Sequence, residues 1–129
     1  MSRNFLKGAT ELRIGKFVEL LNTTKDTVRH YEDLNLVTPK WENHHKEYGE
    51  KEILNFHVVK ELQEYGLSLK DIQIIFNLKE AYQCGDKKLI HQVLEQLTDH
   101  VNNLRKEEEE VRRRRIALEN KLKEIGDFL

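Results

Sequence analysis

The sequence predicts a mainly all-α protein, in which a winged helix-turn-helix head with a small two-stranded wing precedes a long coiled-coil dimerisation helix. Two observations lead to this fold class. Two short amphipathic segments joined by a tight turn occupy residues 14–33, which is the spacing of a helix-turn-helix. A seven-residue apolar repeat then runs from residue 86 without proline or glycine until Gly126, and such a repeat is typical of a coiled coil.

The first predicted helix covers residues 14–21 and supplies one half of the helix-turn-helix. Its apolar side chains recur at the three-residue and four-residue steps of one helix face, at Ile14, Phe17, Val18 and Leu21. Residues 22 and 23 give the short turn that follows. Similar helix pairs occur in proteins that bind no DNA, so the pair alone assigns no function.

The second predicted helix has the features of a recognition helix. Thr24 can cap its first turn, Asn35 tolerates the left-handed conformation that ends helices, and Pro39 forbids continuation. Its buried stripe is predicted at Val28, Tyr31 and Leu34. The opposite face carries side chains that can reach phosphates or base edges, namely Lys25, Asp26, Arg29 and His30.

Residues 40–48 are predicted to form the wing. Asn43 lies at a turn position between Trp41 and Tyr48, as a short hairpin requires. The tip and sides would carry Lys40, His44, His45 and Lys46. The two histidines are interpreted as solvated loop residues, because no thiol or helical histidine pair stands near them in sequence. No metal or other cofactor is predicted.

Two further helices are predicted to support the wing. Residues 50–65 carry a buried stripe at Ile53, Phe56, Val59 and Leu62, and Gly66 ends this helix. His57 within it is interpreted as a partly buried packing residue. The next helix starts at Ser68, whose hydroxyl and the carboxylate of Asp71 resemble a capping box. Its apolar face is predicted at Leu69, Ile72, Ile75 and Phe76.

The last third of the chain carries two interleaved seven-residue series. One series is Ile90, Leu97, Leu104, Val111, Leu118 and Ile125; the other is Leu94, Val101, Glu108, Arg115, Leu122 and Leu129. Only Glu108 and Arg115 interrupt the apolar stripe. A helix of roughly 60 Å at 1.5 Å per residue is far longer than a small head can cover, so a partner helix is predicted.

A charge run near the middle of this helix bears on the direction of the partner. Residues 107–110 are four glutamates and residues 112–115 are four arginines. An antiparallel pair that crosses near Val111 brings each acidic block toward the other chain's basic block, whereas a parallel pair stacks like charges. The alternative is that Glu108–Arg112, Glu109–Arg113 and Glu110–Arg114 pair within one helix, each pair contributing about 0.2–0.5 kcal/mol. Both arrangements can coexist.

Composition limits the domain organisation. The 129 residues include one proline and one cysteine, and the net charge is −1. These values fit an N-terminal extension (residues 1–11), one head (12–82) and one coiled-coil helix (86–129), without a ligand-binding domain or an enzyme-sized cleft. No leader or membrane segment is predicted, so a cytoplasmic, nucleoid-associated protein is expected. The near-neutral charge gives no overall basic excess that would indicate nucleic acid.

From about residue 12 to residue 76 the chain resembles the MerR family of bacterial transcription regulators. The resemblance rests on five motifs: I-G at 14–15, T-V-R-H-Y-E at 27–32, N-L-V-T-P at 35–39, the tyrosine at 48, and Y-G-L-S-L-K-D-I at 65–72. The chain departs from the family at four places. The family favours two consecutive aromatics at 30–31, glycine at 35, arginine at 41 and tyrosine-arginine at 45–46.

The resemblance implies a homodimer that is joined by an antiparallel carboxy-terminal helix and binds a pseudo-palindromic operator in double-stranded DNA. It also implies bending and untwisting of promoter DNA, with RNA polymerase as a further partner. The residues predicted to bind DNA are Lys25, Thr27, Arg29, His30, Tyr31, Lys40, Trp41, His45 and Lys46. Tyr31 is assigned mainly to packing. The residues predicted to hold the dimer are Ile90, Leu94, Leu97, Val101, Leu104, Val111, Leu118, Leu122 and Ile125.

Sensing members of the family carry several cysteines, whereas this chain has only Cys84. Cys84 is interpreted as a packing residue, with His91 of its own chain or His100 of a second chain as the alternative partners in a site. Two rival functions remain open at this level. One is an architectural, chromosome-organising protein that uses the same fold, and the other is a helical protein-interaction module. Preference for one DNA sequence separates a regulator from both.

Overall fold

The structure, a computed structural model, describes residues 11–82 and 85–129. It divides into two compact units, of which the first ends at Glu80 and the second is Ala81–Leu129. All of the predicted N-terminal extension except Glu11 lies outside the described residues, and so does Cys84.

The described part of the first unit contains four helices and a two-stranded antiparallel sheet. In chain order these elements are α1 (Ile14–Leu20), α2 (Lys25–Asp33), β1 (Lys40–Glu42), β2 (His45–Glu47), α3 (Glu50–Glu64) and α4 (Leu69–Ala81). The second unit contains the helix α5 (Lys87–Gly126). The predicted fold class is confirmed in its helix-turn-helix, its wing and its long terminal helix.

The predicted helix boundaries have the expected local chemistry. The Thr24 hydroxyl accepts a hydrogen bond from the Thr27 amide at 3.1 Å and so caps α2. Asn35 follows α2 with φ of +60°, the left-handed conformation that asparagine tolerates. The Ser68 hydroxyl accepts from the Asp71 amide at 3.1 Å and starts α4. These contacts fix where the chain turns, and so which face of α2 is buried.

An aromatic cluster forms the centre of the first unit. The rings of Phe17 and Tyr48 stack with centroids 4.4 Å apart, and Phe56 meets Phe17 edge-on at 6.2 Å. Tyr31 lies 5.6 Å from Phe56. Because these rings come from α1, α2, α3 and the end of the wing, one cluster fixes the recognition helix and the wing to the same core. The other fully buried side chains of this unit are Val28, Leu36, Val37, Ile53, Val59 and Ile72.

The wing is a hairpin with a two-residue turn. Lys40 pairs with Glu47, Trp41 with Lys46, and Glu42 with His45. Asn43 and His44 form the turn with φ of +50° and +67°, the signs that a type I′ turn requires. Two backbone hydrogen bonds between Leu12 and Tyr48, of 2.6 and 2.7 Å, extend the pairing beyond the wing.

The prediction for His57 is wrong. Its side chain is exposed on α3, whereas its neighbours Phe56 and Val59 are buried. His57 lies four residues after Ile53, but the buried face of α3 is centred on Glu52, Asn55, Phe56 and Val59, so His57 falls at the edge of this face and points toward solvent.

The helix α5 leaves its apolar stripe open within the single chain. The stripe side chains that are more than two-fifths exposed are Ile90, Leu94, Val101, Leu104, Val111, Leu118, Leu122 and Ile125. Leu97 is half-buried. Asp86 caps this helix by accepting from the Lys88 amide at 2.8 Å. None of the described helices combines the length and the apolar character that a membrane span requires.

The charge run of α5 forms ion pairs within the helix, although not all of those predicted. Glu110 lies 3.9 Å from Arg114, as predicted, and 2.9 Å from Arg113. Arg113 therefore pairs with Glu110 rather than with Glu109. Glu110 thus binds two arginines of its own chain, and the pairs predicted for Glu108 and Glu109 do not form among the described residues.

Candidate nucleic-acid interface

The exposed face of α2 carries the predicted recognition residues. Lys25, Arg29 and His30 are exposed, while Thr27 is half-buried and its hydroxyl contacts that of Thr24 at 3.0 Å. Arg29 is only loosely paired, since its guanidinium lies 4.0 Å from the Asp26 carboxylate and its side chain is 62% exposed. An ion pair this long and this exposed contributes little, so the guanidinium remains available to another anion.

A cleft of about 280 Å³ lies between α2, the wing and the start of α1. We call it the cationic cleft, because five of its eight lining residues carry a basic group. The lining residues are Arg13, Ile14, Arg29, Trp41, His44, His45, Lys46 and Tyr48. No carboxylate of the described residues lines it. A concave surface of this composition favours an anion such as a nucleic-acid phosphate.

Glu32 joins the recognition helix to the wing. One carboxylate oxygen accepts a hydrogen bond from Lys46 Nζ at 2.9 Å, and the other accepts from the Tyr48 hydroxyl at 2.7 Å. The Glu32 side chain is 11% exposed and the Lys46 side chain is 41% exposed. Burial raises the pKa of Tyr48, and the hydrogen bond to Glu32 raises it further. Tyr48 is therefore a neutral donor at physiological pH. We call these three residues the Glu32 brace.

We expect Glu32→Gln to destabilise the protein by about 1–2 kcal/mol. The amide has one acceptor atom in place of two, so either Lys46 or Tyr48 loses its acceptor, and the ion pair is lost outright. A hydrogen bond to a charged group contributes about 1.5–3 kcal/mol, which the partial exposure of Lys46 reduces. Urea unfolding at pH 7 measures the change.

The control for this substitution is Glu19→Gln. Glu19 lies 3.7 Å from Lys16 on α1, but both side chains are about three-quarters exposed. Its replacement should change the free energy of unfolding by less than about 0.5 kcal/mol. Equal effects of the two substitutions would contradict a structural role for the Glu32 brace.

The strand register distributes the predicted wing residues over two faces. Trp41 pairs with Lys46 across the two strands, so their side chains lie on the same face of the wing. Lys46 Nζ lies 5.6 Å from the Trp41 ring centroid, within range of a cation–π contact. Lys40 and His45 lie on the other face, opposite Glu47 and Glu42 respectively. Trp41 is 70% exposed, so the wing presents a large apolar ring to its surroundings.

Carboxylates collect on the second face of the wing. Oxygen atoms of Glu11, Glu42 and Glu47 lie within 4.8 Å of one another, and among the described residues this is the one group with a spacing that could hold a metal ion. The main reason that the pKa of Glu47 is raised is a hydrogen bond that its protonated carboxyl donates to the Glu11 carboxylate. Exposed carboxylates commonly cluster without binding metal, and the cluster carries no metal assignment.

Tyr31 is a packing residue. It is 2% exposed, and its hydroxyl donates a hydrogen bond to Gln63 Oε1 at 2.7 Å. The packing role given to Tyr31 agrees with this position. A phosphate would need a hydroxyl that reaches the surface, so we remove Tyr31 from the residues expected to touch DNA.

Sequence reasoning did not select Arg13, although it lines the cationic cleft. Arg13 is the N-cap of α1, and its side chain makes no capping hydrogen bond. A cation at the positive end of a helix is electrostatically unfavourable. In the sequence this mismatch is visible as an arginine directly before the first apolar residue of the helix, and it could have identified Arg13 as a candidate for binding an anion.

A sequence profile of a known family matches residues 12–79, more than half of the chain, and is described as MerR HTH family regulatory protein. The chain is also similar to the mercuric resistance operon regulatory protein of Bacillus cereus, with 26% identity over 80 residues. That alignment covers 59% of this chain and 61% of the relative's length. No solved structure gives a significant match. The family match thus spans α1, α2, the wing, α3 and most of α4.

Proposed function

This chain belongs to the MerR HTH family of regulatory proteins, and on that premise we propose that it is a transcription regulator that binds double-stranded DNA as a homodimer. Members of the family are regulators rather than enzymes. The observation that carries the proposal is the cationic cleft, in which the recognition helix and the wing converge on one anion-attracting surface. A regulator of this kind works at the nucleoid, in the cytoplasm.

The head would bind DNA with α2 in the major groove and the wing on the flanking backbone. Arg29 is the candidate for base contacts, because it is exposed and its guanidinium can donate two hydrogen bonds to guanine. Lys25, Thr27 and His30 would support it on α2. Arg13, His45 and Lys46 would fix the register through phosphates. Lys40 and Trp41 complete the wing contacts.

The dimer would form through α5. The exposed stripe on this helix, from Ile90 to Ile125, is apolar except at Glu108 and Arg115 and extends over about 50 Å at 1.5 Å per residue. Exposed apolar surface of this length marks an interaction surface. A second copy of the chain is the partner that we propose, because the repeat of seven residues suits packing against an identical helix.

We propose an antiparallel arrangement of the two α5 helices. Glu110 is engaged by Arg113 and Arg114 of its own chain, but the glutamates at 107–109 precede it without an equivalent ion pair among the described residues. In an antiparallel pair these glutamates face the partner's arginines. In a parallel pair they face one another.

Two heads on one dimer imply an operator with two half-sites. Simultaneous binding at both half-sites would supply the free energy that bends and untwists the promoter between them. This deformation would change how RNA polymerase meets the promoter elements. The proposed complex is therefore symmetric in its two chains, which bind one operator with two half-sites and act on RNA polymerase.

The proposal is tested by selecting duplexes from a random pool with the purified protein, and then measuring affinity from 50 to 300 mM KCl. We expect a pseudo-palindromic sequence to be enriched and its affinity to fall steeply with salt, because each neutralised phosphate adds about −0.9 to the slope of log K against log salt. Trp41 is the one tryptophan of the chain, so quenching of its fluorescence reports contact of the wing.

Each rival gives a distinct result in this experiment. An architectural protein would bind every duplex with similar affinity and a steep salt dependence. An interaction module would bind none of them even at low salt. Either result would overturn the proposed function.

A further inference from the structure

A second cavity lies in the first unit, outside the cationic cleft. It has a volume of about 210 Å³ and is lined by Asn35, Thr38, Lys51, Asn55, Phe76, Lys79 and Glu80. These residues come from the exit of the recognition helix, the first half of α3 and the last half of α4. We call it the Asn55 cavity. None of its residues lines the cationic cleft.

Asn55 is the unusual member of this set. Asn55 is only 7% exposed. Among the described residues, however, no group forms a hydrogen bond with its side-chain amide. Buried side-chain amides nearly always have a partner. The neighbouring Gln73 illustrates the rule, since its amide donates to the Leu34 carbonyl oxygen at 3.0 Å. The Asn55 amide is not fully enclosed by protein, because among the described residues the unpartnered side-chain atom that is fully buried belongs to Gln92. Asn55 therefore offers a donor and an acceptor at the cavity surface to whatever occupies the cavity.

The other lining groups limit the chemistry of the occupant. Lys51 and Lys79 supply two ammonium groups and Glu80 supplies one carboxylate, so the formal charges leave one positive charge unbalanced. Thr38 adds a hydroxyl and Phe76 adds an aromatic wall. One carboxylate balances this charge better than a doubly charged phosphate does. The Phe76 ring favours an apolar body on the same ligand.

From this geometry we propose that the Asn55 cavity is a binding site for a small organic acid, a molecule with one carboxylate and a short apolar or single-ring body. Its carboxylate is held by Lys51 and Lys79 with the Asn55 amide, and its apolar body contacts Phe76. The volume lies below the roughly 300 Å³ at which sites for drug-sized ligands begin, so the ligand is small. The site is independent of the proposed contacts with DNA.

The test uses benzoate as the probe and the full-length ¹⁵N-labelled protein at constant ionic strength. We expect saturable shifts of the Asn55 side-chain amide and of the Thr38 and Phe76 backbone amides, with half-saturation at about a millimolar concentration. Benzamide has the same ring without the charge, and it should bind at least tenfold more weakly. Inorganic phosphate should also bind at least tenfold more weakly.

Two substitutions on one helix give a matched comparison. Lys79→Met removes an ammonium group from the cavity, while Lys70→Met removes an exposed ammonium group that does not line it. We expect benzoate binding to weaken at least tenfold in the first variant and to stay within twofold in the second. Asn55→Leu should also abolish the saturable shifts. Because Asn55 is buried, Thr38→Val serves as a milder second variant, with an expected loss of at least threefold.

Several outcomes would overturn the proposal. They are the absence of saturable shifts with benzoate, equal binding of benzamide, tighter binding of phosphate, and equal effects of the Lys79 and Lys70 substitutions. Each readout is ligand binding in the absence of DNA. A failure here is therefore distinct from a failure of the proposed regulatory function.

Discussion

Replacing both Leu104 and Leu118 by lysine is expected to give monomers that bind half-sites poorly. Both side chains belong to the exposed stripe of α5 and are 41% and 63% exposed in the single chain. Full burial of one leucine contributes about 1.5–3 kcal/mol, and the exposed surface of the four leucines in a dimer is equivalent to about two fully exposed leucines. Even the lower value amounts to about 3 kcal/mol, or a dimer that dissociates at roughly 10²-fold higher concentration. The added lysine charges would oppose pairing further.

Sedimentation equilibrium measures the assembly state, and gel shift on the selected operator measures binding. The control is Asn103→Lys with Asn120→Lys, which adds the same number of charges at exposed positions off the stripe. That variant should remain dimeric and should bind the operator. A stable monomer in the unmodified protein would contradict the role given to the repeat, as would a dimer in the double leucine variant.

The second large effect is expected at Arg29. Arg29→Ala should strongly weaken operator binding at physiological salt and leave the dimer intact, because Arg29 lines the cationic cleft and lies outside α5. A bidentate arginine–guanine contact contributes about 1–3 kcal/mol to discrimination. Since a homodimer loses two such contacts, we expect affinity to fall by roughly 30-fold to 10⁴-fold. Fluorescence anisotropy with a labelled operator measures this loss.

Arg113→Ala is the matched control for Arg29→Ala. Arg113 is 69% exposed and pairs with Glu110 on α5. Its replacement therefore removes the same charge as Arg29→Ala but changes no residue of the helix-turn-helix or the wing. Its affinity for the operator should stay within about threefold of the original. If Arg29→Ala behaved in the same way, the assignment of α2 as the recognition helix would be lost.

The sequence predicts the head well where local chemistry decides the structure. Thr24, Asn35 and Ser68 end or start helices through their own side chains or backbone, and these contacts need no distant partner. The Asn43 turn likewise follows from two neighbouring residues with positive φ. Apolar periodicity then identifies the buried stripes, because a helix can bury only one face.

The sequence predicts the candidate sites less well, because they depend on residues far apart in the chain. Glu32 has the appearance of a helix-end acid, and only the fold brings Lys46 and Tyr48 to its two oxygens. The sequence predicts that Tyr31 packs against the core, but it does not predict that Gln63, thirty-two residues later, accepts the hydrogen bond from the Tyr31 hydroxyl. The Asn55 cavity draws on three separate elements. No local sequence pattern predicts that these three elements come together.

The two side-chain tethers on the recognition helix determine how small a working fragment of the head can be. Gln63 of α3 holds the Tyr31 hydroxyl at 2.7 Å, and Gln73 of α4 donates to the carbonyl oxygen of Leu34 at 3.0 Å. A peptide truncated after residue 33 would lack both anchors and half of the aromatic cluster, namely Tyr48 and Phe56. A fragment that is to keep the proposed DNA-binding face of α2 in its present orientation must therefore extend to the end of α4.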